Sequence, residues 1–135
     1  MNIPITLAII KPKIIKDNKV GKLLTMIEDG GFKIRAMKMT NLTYKDAQEF
    51  YKIHSNKPFY DSLCTNMSSG QVIPMILEKA NAVTSFRKLI GATDPAEAEL
   101  GTIRRELGTS IDHNAIHGSD SEKNAHLESL FFFSV

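Results

Sequence analysis

The chain has little cysteine and no tryptophan. Cys64 is the only cysteine among 135 residues, so no disulfide can form within the chain and no cysteine cluster can hold a metal ion. The four histidines are scattered and do not match the usual spacings of zinc sites. Such low cysteine content is typical of reducing compartments, and we therefore expect a cytoplasmic protein.

Long apolar runs are also missing. The run near the start extends only from Ile5 to Ile10, which is too short to span a bilayer. No basic region precedes it and no small-residue cleavage site follows it, so we do not expect a signal peptide.

Neither sign of charge is in large excess. The sequence has 17 Lys and Arg against 15 Asp and Glu, which gives a net charge of +2. This balance argues against a protein that coats nucleic acid or binds a membrane surface. A hydrophobic content of 42% is ordinary for a globular protein, and the length suits one domain over residues 1–135.

Several catalytic motifs are absent. The sequence contains no G-x-x-x-x-G-K-[ST] and no G-x-G-x-x-G, which excludes a P-loop, a dinucleotide-binding turn and the glycine loop of protein kinases. It also lacks H-E-x-x-H and G-x-S-x-G. Any catalytic chemistry must therefore depend on basic residues, a histidine and aromatic side chains.

Apolar periodicity predicts the first elements. Residues 5–10, ITLAII, predict a strand that is buried on both faces. Apolar positions in residues 20–27 follow the spacing of an amphipathic helix, which Gly30 and Gly31 are expected to end. Residues 32–39 alternate like a strand.

Three further features are predicted in the segment that follows. The alternation of the second strand slips near Ala36, which predicts a bulge. Thr43 and Asp46 form the pattern of a capping box and predict a helix through His54. Pro74 lies in the predicted strand 71–79, and its missing N–H group favours an edge position or an irregularity.

The second half is expected to contain a helix over residues 83–90 and another that begins at Asp94 and Pro95. Residues 130–135, LFFFSV, are predicted to form a closing strand. The order of elements favours helices packed on a mostly antiparallel sheet, with a βαββαβ core and an extra helical hairpin after the second strand.

The segment NAIHGSDSEK places a histidine, His117, before a predicted helix start. Ser119 and Glu122 have the spacing of a capping box, and a helix N-terminus there would favour a bound anion. A neutral imidazole is also a nucleophile near pH 7. The alternative is a turn histidine that bonds to a backbone carbonyl, and these residues alone favour that alternative.

Cations and aromatics occur at points where a phosphorylated ligand could use them. Lys11 ends the first strand, and Arg87 and Arg104 lie in later segments. Transfer of a phosphoryl group needs several cations at once, although each alone is typical of a solvated surface. Phe59, in a proline-containing turn, could stack on a base or pack locally, and Tyr51 has the spacing of a core residue.

The segments as a set resemble the nucleoside diphosphate kinase family. NAIHGSDS is similar to that family's active-site signature, N-x-x-H-G-S-D-[SA]. AIIKP, FYKIHSNKPFYDSL, SGQVIPMILE and RKLIGATDPAEAELGTIR resemble further family segments in the same order. The similarity runs from about residue 5 to residue 133, and such agreement favours the nucleophile over the turn histidine at His117.

The resemblance implies an α/β (α+β sandwich) fold with a four-stranded antiparallel sheet of ferredoxin-like topology. It also implies a reaction: His117 takes the γ-phosphoryl group of a nucleoside triphosphate and passes it to a nucleoside diphosphate, with little base specificity. Mg²⁺ is expected on the nucleotide phosphates rather than on protein side chains alone.

The resemblance assigns a role to each site residue. Glu128, and Ser119 through it, would support the catalytic imidazole. Phe59 and Leu63 would hold the base. The residues expected to contact phosphates or ribose hydroxyls are Lys11, Tyr51, Arg87, Thr93, Arg104 and Asn114.

Some positions depart from the family pattern. Lys13-Ile14 replaces an acidic and a small residue, Arg105-Glu106 replaces Gly-Asp, and His113 replaces a frequent arginine. None of these changes removes an expected site residue.

Other functions remain as alternatives: a nucleotide sensor without turnover, a phosphocarrier served by a protein, and an RNA-binding sheet. The retained site residues argue against the first and the base-holding residues against the second. The absence of an exposed aromatic pair on the strands argues against the third. The family forms homo-oligomers, and we expect a hexamer, with a tetramer as the alternative.

Overall fold

The computed structural model describes residues 4–133. The strands and helices, in chain order, are β1 (Ile5–Ile10), α1 (Pro12–Lys16), α2 (Val20–Asp29), β2 (Lys33–Met37), β3 (Thr40–Asn41), α3 (Tyr44–Phe50), a 3₁₀ turn (Lys52–His54), α4 (Tyr60–Met67), β4 (Gln71–Glu78), α5 (Ala82–Ile90), α6 (Ile103–Leu107), β5 (Ile116–Gly118) and α7 (Glu122–Phe132).

The strands form an antiparallel sheet in the order β2-β4-β1-β5, and the short β3 pairs with the end of β4. This arrangement confirms the predicted fold class. The α3–α4 hairpin is the predicted addition to the βαββαβ core. No helix within the described part of the chain is long and apolar enough to cross a membrane.

Strand β1 is buried on both faces, as its composition predicts. Ala8 and Ile10 belong to the core beneath α2 and α5. Leu7 and Ile9 belong to a second core on the opposite face, beneath α3, α4 and α7. Because both faces are covered, the ends of β1 position residues inside the molecule rather than at its rim.

Several predicted boundaries are confirmed. Helix α2 ends at Asp29 with Gly30 as its C-cap, and Gly31 follows with φ of 89°. Thr43 and Asp46 form both hydrogen bonds of a capping box at the start of α3. The pairing of β2 with β4 shifts between Ile34 and Ala36, next to the predicted bulge.

Pro74 does not mark an edge strand, because β4 lies between β1 and β2. The irregularity does occur there. On one side of β4, pairing with β2 ends at Met75 and pairing with β3 resumes at Val72. Pro74 therefore lies where the partner strand changes and no donor is required.

Two predicted elements are wrong. Asp94 accepts a hydrogen bond from Ala96 N at 3.0 Å within a turn, and no helix begins there; the next helix, α6, begins at Ile103. Leu130 to Phe132 continue helix α7 instead of forming a strand, and residues 134–135 lie outside the described residues. Packing of α7 against β1 overrides the strand preference of the aromatic run.

The predicted helix start is also displaced, and two short strands, β3 and β5, were not predicted. Ser121, rather than Ser119, accepts the N-terminal hydrogen bond of α7, from Asn124 N at 3.1 Å. His117 lies in β5, opposite Ile9 of β1. Helix α3 ends at Phe50, and the residues up to His54 form the 3₁₀ turn.

Candidate active site

A cleft of about 280 Å³ brings together all the predicted site residues except Ser119. It is bounded by the α3–α4 hairpin, the segment after α5, the approach to β5 and one face of α7. Ser119 is fully buried behind the wall of this cleft. Residues from distant parts of the sequence therefore converge on one concave surface.

His117 is held by a chain of hydrogen bonds from the sheet. Its Nε2 lies 2.9 Å from Glu128 Oε1. The Ser119 hydroxyl donates to the same carboxylate oxygen at 2.7 Å, and Leu7 N donates to the Ser119 oxygen at 3.3 Å. Because an ionised carboxylate only accepts, Nε2 carries the imidazole proton and Nδ1 keeps its lone pair.

Tyr51 faces that free nitrogen. Its hydroxyl lies 3.5 Å from His117 Nδ1, so the two groups line the same part of the cleft. Burial raises the pKa of the Tyr51 phenol far above its usual value, and the nearby Glu128 charge raises it further. Tyr51 therefore stays neutral and can donate a hydrogen bond to a phosphoryl oxygen near Nδ1.

A tight turn positions the residues before β5. Ile116 N donates to Asn114 O at 3.0 Å, and Ala115 between them has φ of 78°. Non-glycine residues rarely adopt such a γ-turn, and strained backbone of this kind is concentrated at functional sites. The turn lets the Asn114 and His117 side chains reach the same cleft.

Lys11 extends from the end of β1 into the site and is nearly fully buried. Its Nζ donates to Asn114 Oδ1 at 2.7 Å, and Asn114 Nδ2 donates to Thr93 O at 3.1 Å. Burial, and then the Arg104 charge, lowers the pKa of Lys11 from its ordinary 10.5 to about 7. An anion in the cleft would favour the charged amine.

Arg104 is held by backbone carbonyls rather than by an acidic partner. Its guanidinium donates to Gly91 O at 3.1 Å and to Ile116 O at 2.8 Å. Burial and the neighbouring Arg87 charge lower the pKa of Arg104 to about 10. Lys11, Arg87 and Arg104 thus share one cleft, and among the described residues no carboxylate forms an ion pair with them, which suits a phosphate ligand.

Phe59 and Leu63, the pair that is predicted to hold the base, both line the cleft. Phe59 is 43% exposed, so its ring is available to a ligand. The sequence reasoning missed Ile53 and Ile111, which line the cleft and are 57% and 54% exposed. No periodicity marks them, because one follows α3 in a 3₁₀ turn and the other lies in an irregular loop.

Two further lining residues were also missed, Phe50 and Asp120. Phe50 has the spacing of a core residue in α3, so its position next to His117 could not be read from the sequence. Asp120 is part of the HGSDS motif itself, and its closeness to His117 in the sequence could have identified it as a site residue. Its Oδ1 accepts from Asn124 Nδ2 at 2.7 Å, and the residue is exposed where it lines the cleft.

A larger cleft, of about 640 Å³, lies beside α1 and shares Lys11 and Asp112 with the first. Lys13, one of its cations, is already paired with Asp17 at 2.8 Å on the surface. His113 lines this larger cleft, but His117, Arg87 and Arg104 do not. The smaller cleft is therefore the candidate active site.

Known proteins resemble this chain in sequence over nearly its whole length. A model of the nucleoside diphosphate kinase family matches residues 5–135. The nucleoside diphosphate kinase of Chloroherpeton thalassium is 54% identical over 130 residues, which are 96% of this chain and 92% of that protein. The enzyme of Geobacter sp. strain M21 is 51% identical over 129 residues, or 96% and 94% of the two chains.

Solved structures agree. The nucleoside diphosphate kinase of Aquifex aeolicus superposes with a TM-score of 0.95 at 40% identity, over 98% of this chain and 96% of that one. The Halobacterium salinarum enzyme, solved in complex with CDP, gives a TM-score of 0.93 at 35% identity, over 99% and 90%. The chain therefore belongs to the nucleoside diphosphate kinase family and is a nucleotide phosphotransferase.

Proposed function

We propose that His117 carries the phosphoryl group in a two-step exchange between nucleotides. The Nδ1 lone pair attacks the γ-phosphorus of a nucleoside triphosphate, the N–P bond forms, and the bond to the β-phosphate oxygen breaks. An oxygen of the acceptor diphosphate then attacks the same phosphorus and the N–P bond breaks. Division into two transfers of this kind gives ping-pong kinetics.

One observation carries this proposal: Glu128 Oε1 lies 2.9 Å from Nε2, so the nitrogen that faces the cleft is the one with the lone pair. A sensor that binds nucleotide without turnover has no need of an oriented nucleophile. The Ser119–Glu128–His117 chain therefore favours catalysis over the non-catalytic alternative.

The cations of the site would bind the phosphates. Arg87 and Arg104 present planar donor groups suited to phosphate oxygens, and Lys11 adds a point charge once an anion raises its pKa. Thr93 also lines the cleft and would contact the phosphates. Tyr51 would donate to the transferring group, because its hydroxyl lies 3.5 Å from Nδ1.

The nucleoside would occupy the other end. Phe59 would stack on the base, and Leu63 would support it through apolar contact. Stacking accepts any base, because every base has a π-face, so little base specificity is expected. Lys11 and Asn114 would contact the ribose hydroxyls through the groups that now bond to each other at 2.7 Å.

Mg²⁺ fits the donor set of the site. The ion prefers oxygen ligands and usually combines substrate phosphates with one or two carboxylates. Asp120 places a carboxylate on the cleft wall and would hold the ion there with the phosphates. When bound, Mg²⁺ neutralises phosphate charge.

We also propose that the chain is a single nucleoside diphosphate kinase domain over residues 1–135 and works in the cytoplasm as a homo-oligomer, with a hexamer favoured over a tetramer. The loop after α5 supports assembly, because Leu100 is 79% exposed there. Burial of such a side chain against a second copy would remove apolar surface from water.

Steady-state kinetics test the proposed reaction. With ATP and a diphosphate both varied, the double-reciprocal lines should be parallel, and GDP, CDP and dTDP should give kcat/KM values within about tenfold of one another, since stacking tolerates all bases. Intersecting lines would contradict a covalent intermediate. One strongly preferred acceptor would contradict the proposed mode of base binding.

A further inference from the structure

Phe50 contacts the imidazole of His117 from the end of α3. The two ring centroids are 5.3 Å apart and the planes are inclined by 71°, which is an edge-to-face arrangement. Tyr51 makes a second such contact with His117, at 5.6 Å and 75°. Consecutive residues of one segment therefore pack against the ring whose Nε2 is bonded to Glu128.

Phe50 is itself held by the C-terminal helix. Its ring lies 5.3 Å from that of Phe131, at 72°, and 5.3 Å from that of Phe132. Phe131 follows Glu128 by three residues in α7, so both project from the same side of the helix. Helix α7 thus reaches the imidazole twice, directly through the Glu128 carboxylate and indirectly through Phe50.

The two contacts restrain different motions. A single hydrogen bond at Nε2 fixes one atom but leaves the ring free to tilt about it. Edge-to-face packing at centroid distances of 4.5–7 Å is directional, so it opposes that tilt. Nδ1 is separated from Nε2 by Cε1, and a tilt of the ring about the Nε2 hydrogen bond changes the distance and angle from Nδ1 to the phosphorus.

We propose that Phe50, supported by Phe131, is a positioning residue that holds the His117 imidazole in the orientation required for attack by Nδ1. The inference rests on the proposed function of His117 and adds a residue that acts through it. Misplacement of a reacting atom by about 1 Å can cost roughly a hundredfold in rate, so loss of this packing should slow the chemical step.

The test compares Phe50→Leu with Phe50→Tyr and with a matched control. Leu keeps the site apolar but removes the aromatic ring, whereas Tyr keeps the ring. Phe32→Leu is the control, because Phe32 packs edge-to-face on Phe86 at the same 5.3 Å in the other core. It removes an equivalent contact that does not touch His117.

The main measurement is the single-turnover rate of phosphorylation by saturating ATP and Mg²⁺, with ADP affinity measured separately by calorimetry. We expect Phe50→Leu to slow phosphorylation by about tenfold or more while the Kd for ADP changes less than about twofold. Phe50→Tyr should restore most of the rate, and Phe32→Leu should lower the Tm but keep the rate.

Long-range ¹H–¹⁵N spectra of the imidazole give an independent readout. In the wild type the signals should show protonated Nε2 and unprotonated Nδ1, and Phe50→Leu should broaden them or mix the two tautomers. A Phe50→Leu rate within twofold of the wild type would overturn the inference, as would equal slowing by Phe32→Leu. A wild-type protein that is never phosphorylated would instead remove the proposed function, on which this role depends.

Discussion

At the scale of single residues, the central feature is the imidazole whose two nitrogens have different surroundings. Nε2 bonds to Glu128, which is itself bonded by Ser119, and Nδ1 faces the cleft. These different environments indicate that Nε2 orients the ring and that Nδ1 is the nitrogen available for reaction.

Glu128→Ala tests this assignment. Without the carboxylate neither nitrogen is favoured as the proton carrier, and the ring loses its orienting bond. We expect phosphorylation to slow by roughly a hundredfold, the order of cost for a misplaced reacting atom, with little change in nucleotide Kd. Rapid-quench kinetics and calorimetry measure the two quantities, and a Kd that weakens as much as the rate would place Glu128 in nucleotide binding instead.

Lys11 gives a prediction about stability and pH. Its pKa is about 7 in the folded chain and near 10.5 when unfolded. Between these values the unfolded chain holds a proton that the folded chain has released, so the Lys11 contribution to the free energy of unfolding rises with pH. Burial of the charged amine is therefore most destabilising below about pH 7.

Lys11→Met should consequently unfold at a higher temperature than the wild type at pH 6, and this difference should shrink as the pH rises towards 10. Activity should fall at the same time, because the cation is lost from the proposed phosphate site. Thermal unfolding across the pH range measures the effect. Lys13→Met is the matched control, since the Lys13 side chain is 40% exposed on the adjacent helix, and a similar pH dependence there would contradict the assignment to Lys11.

Many residues of the candidate site could be predicted because short motifs mark them. Lys11, Arg104 and His117 occur in segments with a recognisable order, and the structure places them around one cleft. Ile111 could not be found in this way, since its exposure in the cleft depends on a loop path that the sequence pattern does not encode. Phe50 shows the same limit, because helical spacing alone marks it as a core residue.

At the scale of elements, two serines near the start of α7 have different roles, whereas the sequence pattern assigned both roles to Ser119. Ser121 caps the helix, whereas Ser119 is buried and bonds to Glu128. Ser121→Ala should lower the free energy of unfolding by about 1 kcal/mol, the usual cost of a lost N-cap, with kcat nearly unchanged. Ser119→Ala should lower kcat instead.

Chemical denaturation and the coupled kinase assay distinguish these two serines. If Ser119→Ala reduced stability alone, its link to the catalytic imidazole would be contradicted. If Ser121→Ala reduced kcat as much as Ser119→Ala, the cap would have to act on the site through α7.

The elements that the sequence failed to predict share a physical cause. Residues 116–118 form only three residues of strand, which is too short for a period to be visible, and they are held by pairing with β1. Leu130 to Phe132 have the composition of a strand but complete a helix that packs on β1. In both cases tertiary contacts determine the local structure, and these contacts cannot be inferred from the local sequence pattern.

At the scale of the whole molecule, assembly is the main expectation. Leu100 is 79% exposed in the long loop after α5, and the proposed hexamer would bury such a surface. Leu100→Glu should shift the protein towards smaller oligomers or monomers, because the contact between copies would have to bury a charged side chain. Mass photometry at several concentrations checks this, and a wild type that stays monomeric at micromolar concentration would contradict the hexamer and the tetramer alike.

Transfer through His117 is tested by the mass of the intact protein after reaction with ATP and Mg²⁺ and removal of nucleotide. We expect one added phosphoryl group that is stable in alkali, is lost in acid and is discharged by GDP, and no adduct on His117→Ala. A correctly folded wild type without an adduct, or a His117→Ala variant that still carries one, would contradict transfer through His117.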